Sequence, residues 1–449
     1  MCNRSDTILG IFFTYIFYLG AVIWNLLNFK MILALLSGLC ILVGLAKRRS
    51  FSFSQILGMC ARGIKTTRGL LILFVLVGVL TSLWRASGTI PVIVSCATHL
   101  IHPQSFILVT FLLNCAMSLL TGTSLGTAAT MGVICATSAQ SLGISPMWTG
   151  GAILSGAYFG NRLSPISSMA LLTANITRTD IYRNVRNMLR TTWLPLLLSC
   201  AIYLVAGFVL DESKSAFSAE SVRTLFLLKF TLSWWGFVPA ILMIVLSVLR
   251  LRSWLVLLCS AMSAFVIAFV VENCMLLEIL KMLVFGYRAG VPELNQMVNG
   301  GGILSMVNVF IIVVIAGCYG GIFNETRLLD SLKSKIQKIE SCTNPFVSKL
   351  ATSVLMACVT CNQTLTIVLT HQLTSPTDES PGCRESHALD LYDSAVTVIA
   401  LVPWSVATTI VLVAAQAPSS SVFCACFLYL LPITRLLARN RFKVLYNAG

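Results

Sequence analysis

The side chains in this sequence best suited to chemistry are oxygen donors, gathered where long apolar runs turn abruptly polar. Thr123 and Ser124 stand in TGTSLGTAATMG, and Asn161, Arg162, Ser164, Ser167 and Ser168 surround Pro165 in GGAILSGAYFGNRLSPISS. Asn362, Gln363 and Thr364 interrupt the apolar run CVTCNQTLTIVL, and Asp393 with Ser394 opens DSAVTVIALVPWSVA. Hydroxyls, amide oxygens and carbonyls freed from a helix are the ligands from which membrane proteins build Na+ sites. Pro165 favours such a break, because it lacks a backbone donor and clashes with the carbonyl one turn earlier. Arg162 is costly in hydrocarbon unless it faces a cavity or an anion. Asp393 differs from Arg85, His99, Glu272 and Glu278, which lie at segment ends where an interfacial role is expected, because the run it opens enters the membrane at once.

Gly122, Ser124 and Gly126 also match the GxSxG elbow of serine hydrolases, which requires a preceding strand and a neighbouring His and acid. What precedes them is FILVTFLLNCAMSLL, an apolar run suited to a helix. Close helix packing by small residues is the competing structural reading. Unwound backbone offering oxygens to a cation accounts for more of the composition, and no enzyme activity is expected.

These residues must be positioned by membrane helices. The chain has 449 residues, 57% of them hydrophobic and 10% charged, with a mean hydropathy of +0.88. A soluble domain carries about 25% charged residues. The net charge of +15 sits in short loops between apolar runs and reads as a topology signal rather than a nucleic-acid footprint. Most of the sixteen cysteines lie inside apolar runs, as small hydrophobes. The Cys358/Cys361 pair lacks the second pair or histidines of a metal site, so no cofactor and no metal beyond transported Na+ is expected. The run at 7–27 has no small-residue cleavage site after it and reads as a retained first span.

Apolar segments lie near 8–27, 31–46, 69–84, 90–101, 104–120, 193–210, 234–250, 253–271, 303–323, 350–371, 394–414 and 420–437. With the polar breaks they predict an all-α polytopic protein of about 10–13 transmembrane or re-entrant segments, since a full span takes about 20 residues. Basic loops at 47–68, 178–190, 250–252 and 327–349 and a basic tail at 435–443 mark the cytoplasmic side. Three apolar segments lie between the fourth loop and the tail, yet the number of crossings there must be even. One segment is therefore re-entrant or broken, and the candidate is the stretch around Asn362. The TGTSLGT stretch is its counterpart in the first half, and each is followed by a proline-bearing polar stretch, 161–168 and 393–405. Paired interruptions of this kind point to an inverted-repeat transporter with its site at the midplane. The expected division is N-terminal helices (1–68), first repeat (69–192), connecting helices (193–302) and second repeat with tail (303–449).

The strings GTIPVIV, SLLTGTSLGTAATMG, GAILSGAYFGNRLSPIS and TRTDIYRNVRNML, with NGGGILSMVNVFIIVVIAGCYGGIF and DSAVTVIALVPWSVA later, resemble the NhaC family of Na+/H+ antiporters. The resemblance implies a multi-pass secondary transporter of the bacterial cytoplasmic membrane that exchanges Na+ for H+, with broken helices and an elevator or rocking motion. Its partners are the bilayer, the transported cation and, optionally, a second copy in a homodimer, with no nucleic acid. The family pattern reads FGDK and then SPLSD, where this chain reads FGNR and SPISS, so Asn161 and Ser168 stand where acids are expected. Exchange of H+ and Na+ at one site needs a carboxylate for which both compete. Either Asp393 has taken that role, or the substrate is an organic acid or amino acid that brings its own carboxylate to Arg162. A third reading is a membrane component that kept the fold without transporting.

Overall fold

Lipid offers no partner for backbone N–H and C=O groups, so an apolar chain crossing it must satisfy them internally, and helices do so. The computed structural model describes residues 29–48, 50–100, 103–210, 233–249, 251–288, 299–326, 345–375 and 380–446. Every named element among them is helical, and the one β-like contact is a bridge between Tyr287 and Gly300. The expected first span at 8–27 lies outside the described residues.

In chain order the first half contains α1 (Phe29–Arg48), α2 (Phe53–Ala86), α3 (Thr89–Leu100), α4 (Pro103–Thr121) and α5 (Ser124–Thr127). A π turn over Ala128–Gly132 leads into α6 (Val133–Ser141), followed by α7 (Pro146–Leu163), α8 (Ser168–Thr177) and α9 (Ile181–Val209). The middle supplies α10 (Val238–Val248), α11 (Ser253–Val270) and α12 (Leu276–Phe285). The second half adds α13 (Val307–Thr326), α14 (Pro345–Thr360), α15 (Gln363–Thr374), α16 (Pro381–Asp393), α17 (Ala395–Val398), α18 (Val406–Ala414) and α19 (Cys426–Tyr446).

Among the described residues, Gln104–Thr121, Ile181–Val209 and Ile303–Ile322 are long and apolar enough to cross a membrane unaided. A fourth span is broken: Pro381–Leu401 and Val406–Ala414 meet at a 61° bend. The remaining apolar helices, such as Trp254–Val270 and Pro345–Thr360, are shorter. The expected segments thus resolve into a few full spans and many partial ones. Two expected boundaries fall inside helices: 68/69 within α2 and 192/193 within α9.

The helices form two groups. In the first, α1, α11 and α13 pack around α2. A Cβ on Gly63 of α2 would fall on the backbone of Gly317 and Gly321 in α13, and one on Gly321 would fall on the Met59 carbonyl. Small residues one turn apart let the two backbones touch, the packing that stabilises helix pairs in lipid. Gly321→Leu is therefore expected to force α2 and α13 apart, at a cost of at least about 1–3 kcal/mol. A melting curve in detergent, monitored by size-exclusion chromatography, reads this directly, and an unchanged midpoint would contradict the packing.

In the second group, α7 lies along α4, with Gly156 over Phe111 and Asn114 and Gly160 over Ser118. Ser118 Oγ donates to the Ala157 carbonyl (2.7 Å) and accepts from the Gly160 N–H (2.7 Å). Tyr203 of α9 joins this pair to the start of α19: its hydroxyl contacts Ser155 Oγ (2.8 Å), donates to the Cys424 carbonyl just before α19 (2.9 Å) and accepts from the Cys426 N–H that opens it (3.1 Å).

Charge fixes the orientation. Arg183, near the start of α9 in a basic loop, pairs with Glu385 in α16 (3.3 Å), so both helices start on the cytoplasmic side. The far end of α9 meets the start of α4, where Gly207 abuts the Gln104 carbonyl. Helix α4 therefore enters from outside and breaks at 122, whereas α14 enters from the cytoplasm, breaks at 361 and packs against its continuation α15. These are oppositely oriented broken helices, as the parity of loop charges and the paired interruptions predict.

Candidate functional site

The two breaks share one construction. After α4 ends at Thr121, Gly122 takes a left-handed φ of +66° and Thr123 becomes extended. Thr123 then caps α5 by accepting the Gly126 N–H at Oγ1 (3.1 Å). Thr127 Oγ1 donates to the Thr123 carbonyl (2.9 Å) and lies 3.1 Å from Thr121 Oγ1. In the second half α14 ends at Thr360, Cys361 takes φ +54°, and Asn362 caps α15 by accepting the Leu365 N–H at Oδ1 (3.3 Å). Thr366 Oγ1 donates to the Asn362 carbonyl (2.9 Å) and lies 2.9 Å from Thr360 Oγ1. Residue for residue, the pattern repeats.

One difference is that a cysteine occupies the left-handed position in the second break. Left-handed backbone costs a residue with a Cβ about 1–2 kcal/mol. Cys361→Gly is expected to raise the melting midpoint or leave it unchanged, and Cys361→Val to lower it; the reverse order would contradict the turn geometry.

Each hairpin is crossed by a second break. Ser167 caps α8 and donates its hydroxyl to the Asn161 carbonyl (2.6 Å); Ser405 caps α18 and donates to the Ile399 carbonyl (2.9 Å). The last carbonyls of a helix lack intrahelical donors. Here Ser164 Oγ donates to the Leu119 carbonyl (2.9 Å) and Trp404 Nε1 to the Cys358 carbonyl (3.1 Å), in both cases three residues before the left-handed turn. The two crossings are joined by Asn161 Nδ2, which donates to Gln363 Oε1 (3.3 Å), while Gln363 Nε2 donates to the Val396 carbonyl (2.8 Å).

Beside this polar crossing lies a buried ionic cluster. Arg162 and Asp393, both fully buried, form an ion pair between Nη2 and Oδ1. Arg162 also donates to Thr192 Oγ1 (2.5 Å) and Thr191 Oγ1 (2.8 Å). One helical turn before Asp393, Asp390 pairs with Lys349 Nζ (2.9 Å) and Arg435 Nη2 (3.1 Å), and Arg435 Nε approaches Asp393 Oδ2 to 3.6 Å. Among the described residues, Asp393 Oδ2 and Arg162 Nε have no hydrogen-bond partner. A carboxylate oxygen without a hydrogen bond in so dry a place can take a proton or a cation.

The other predicted residues divide. Ser394, buried, accepts from Ser353 Oγ (3.1 Å) and donates to the Asp390 carbonyl (2.7 Å), bracing the cluster. Ser124 lies beside Tyr158 and opens α5, following a helix rather than a strand. Ser168 is exposed at the start of α8, and exposed Thr364 reaches only Met169 Sδ (4.0 Å). Thr123 also lines a cavity of about 320 Å³ with Thr121, Thr130, Ile166 and Arg252. Among the described residues no group of three or more His, Cys, Asp or Glu is placed to bind a resident metal.

Sequence reasoning asked for a cavity or an anion beside Arg162, and in this conformation its partner is Asp393, far along the chain. It also passed over Asp390, Lys349, Arg435, Thr191 and Thr192. Lys349 and Arg435 were counted with the loops, and only the Asp390/Asp393 spacing of three, which sets two acids on one helical face, could have flagged the cluster. The interfacial role expected of Arg85 is also corrected: Arg85 is 1% exposed, held by Gln140 Oε1 (3.3 Å), Gln416 Oε1 (3.0 Å) and the Thr81 carbonyl (3.1 Å).

Comparison with known proteins gives a match over residues 7–174 and 156–437 to the profile of the Na+/H+ antiporter family. The chain is 28% identical over 383 residues to the malate-2H+/Na+-lactate antiporter of Bacillus subtilis (strain 168), covering 82% of this chain and 81% of that protein. It is 26% identical over 352 residues to the Na+/H+ antiporter NhaC of Alkalihalophilus pseudofirmus (77% and 75% covered). With NhaC of B. subtilis it shares 28% over 351 residues (77% of each).

Proposed function

The chain belongs to the Na+/H+ antiporter family, and from that premise we propose that it exchanges Na+ for H+ across the bacterial cytoplasmic membrane with Asp393 as the carboxylate for which the two ions compete. The observation that carries this reading is the placement of Asp393: fully buried, paired to Arg162, and with Arg435 near its Oδ2 but no hydrogen bond to that oxygen among the described residues. Arg162 stays charged at any relevant pH. The ion exchanged must therefore be taken up by the carboxylate. Protonation of Asp393 releases Arg162 to its Thr191 and Thr192 hydroxyls, and Na+ takes the ionised carboxylate with neutral oxygens from Asn161 and Ser167. Both states cancel the same negative charge, so occupancy by one excludes the other.

A second reading has its own observation. Arg162, Arg435 and Lys349 face two carboxylates, Asp390 and Asp393, which leaves the buried cluster with one surplus positive charge. An organic anion would cancel it, and one of the relatives is named for malate and lactate exchange. The experiment is flux in proteoliposomes under an imposed Na+ gradient, read with an internal pH dye, alongside lactate and malate counterflow. Proton movement driven by Na+ alone supports the first reading. Movement that requires an organic acid on one side replaces it with the second.

A further inference from the structure

A pair of histidines lies on the cytoplasmic side of the ionic cluster, and the exchange described above does not use it. His371, half-buried on α15, places Nδ1 at 3.0 Å from Nε2 of His387 on α16, which is 2% exposed. His387, Asp390 and Asp393 follow at intervals of three on one helix, which sets them along one face over about 9 Å. Among the described residues, Nδ1 of His387 is buried without a hydrogen-bond partner.

We propose that His371 and His387 form the proton route between the cytoplasmic face and the Asp390/Asp393 carboxylates. This rests on the reading of those carboxylates as the proton-binding groups. His371, donating from Nδ1, fixes the proton of neutral His387 on Nδ1, the edge away from His371. A proton arriving from water at His371 Nε2 makes that ring cationic. His371 then passes its Nδ1 proton to His387 Nε2, and His387 passes its Nδ1 proton onward to a carboxylate. One proton enters and one leaves each ring, no electrons move, and the rings finish neutral with exchanged tautomers. Run in reverse, the route discharges a carboxylic acid to the cytoplasm.

The charged groups around this pair and the cluster come from several helices: Lys349 from α14, Arg435 from α19, Arg162 from α7 and Arg183 from α9, besides Arg384, Glu385, Asp390 and Asp393 on α16 itself; α8, which also packs against α15 and α16, carries none. Lys349 and Arg435 sit on Asp390, and Arg183 is engaged with Glu385. Among the described residues, the two imidazoles lie between the cytoplasmic surface and the cluster and need no ion-pair partner to be broken before they carry a proton.

The test uses the full chain in proteoliposomes and compares two fluxes. Na+-driven proton flux needs the route, whereas exchange of labelled Na+ for unlabelled Na+ at equal pH does not. His387→Gln and His371→Gln are expected to lower the proton flux at least 10-fold, in the range a positioned proton-transfer group contributes, and to leave Na+/Na+ exchange within about twofold. Added imidazole is expected to restore part of the flux in His371→Gln, where the site opens toward water. Equal loss of both fluxes in both variants, or loss of neither, overturns the route. If wild-type protein moves lactate or malate but no Na+ alone, the cation reading fails instead. The route is then judged by the same variants on proton-coupled lactate uptake against lactate/lactate counterflow, with the same expected split.

Discussion

Asp393→Asn is expected to abolish proton-coupled flux and, at the same time, to destabilise the protein. The carboxylate is fully buried against Arg162, and its replacement by a neutral amide leaves the guanidinium hydrogen-bonded to an amide oxygen and two threonine hydroxyls but without its counter-charge. Breaking a buried ion pair from one side costs about 3–5 kcal/mol, because the remaining charge is uncompensated. Loss of transport in this variant alone is therefore ambiguous. The double change Arg162→Met with Asp393→Leu removes both charges and keeps the volume, an exchange that is often neutral or stabilising. It is expected to recover the melting midpoint of wild type in detergent while remaining inactive in vesicles. Had Asp393 only a structural role, the double variant would regain transport with its stability. If Asp393→Asn kept full proton coupling, the exchanged ion would belong to Asp390, the neighbour one turn away.

The contrast between Asp393 and Arg162 shows what the sequence could carry. The parity of basic loops located the re-entrant stretch at Asn362, because topology is written in local charge. The polar interruptions located both breaks, because hydroxyl and amide side chains in an apolar run signal backbone that needs partners. The Arg162–Asp393 pair left no such trace, since nothing local links residues brought together only by the packing of α7 on the second repeat. Lys349 and Arg435 were hidden for a related reason. Each stands near a basic loop, but α14 and α19 carry them inward, where they meet Asp390. Arg85 was read as interfacial because it ends an apolar run. Its burial with no carboxylate beside it among the described residues becomes intelligible once α6 and α18 are seen to end beside it, at Gln140 and Gln416. Helix C-termini carry partial negative charge, and two of them with two amide oxygens offset a guanidinium.

Asn161→Asp is the second large effect expected, and its sign depends on Na+. Asn161 is 3% exposed; it donates to Gln363 Oε1 and accepts from Ser167 Oγ at Oδ1 (3.2 Å). A carboxylate there would set oxygen against oxygen at Gln363. Turning the glutamine amide relieves that contact but brings Oε1 against the Val396 carbonyl, which now accepts from Nε2. One unpaired buried acceptor remains either way, at a cost of about 1–3 kcal/mol. A cation among these oxygens removes the conflict, so the variant is expected to melt lower than wild type in choline chloride and to recover in NaCl. Binding at 100 times Kd stabilises by about 2.7 kcal/mol, enough to offset the loss. Equal destabilisation in both salts would show that the crossing of the broken helices holds no Na+. A Na+-dependent shift in the variant together with none in wild type would mean that the native asparagine has given up the cation, and would move the balance toward an organic anion at the positively charged cluster beside it.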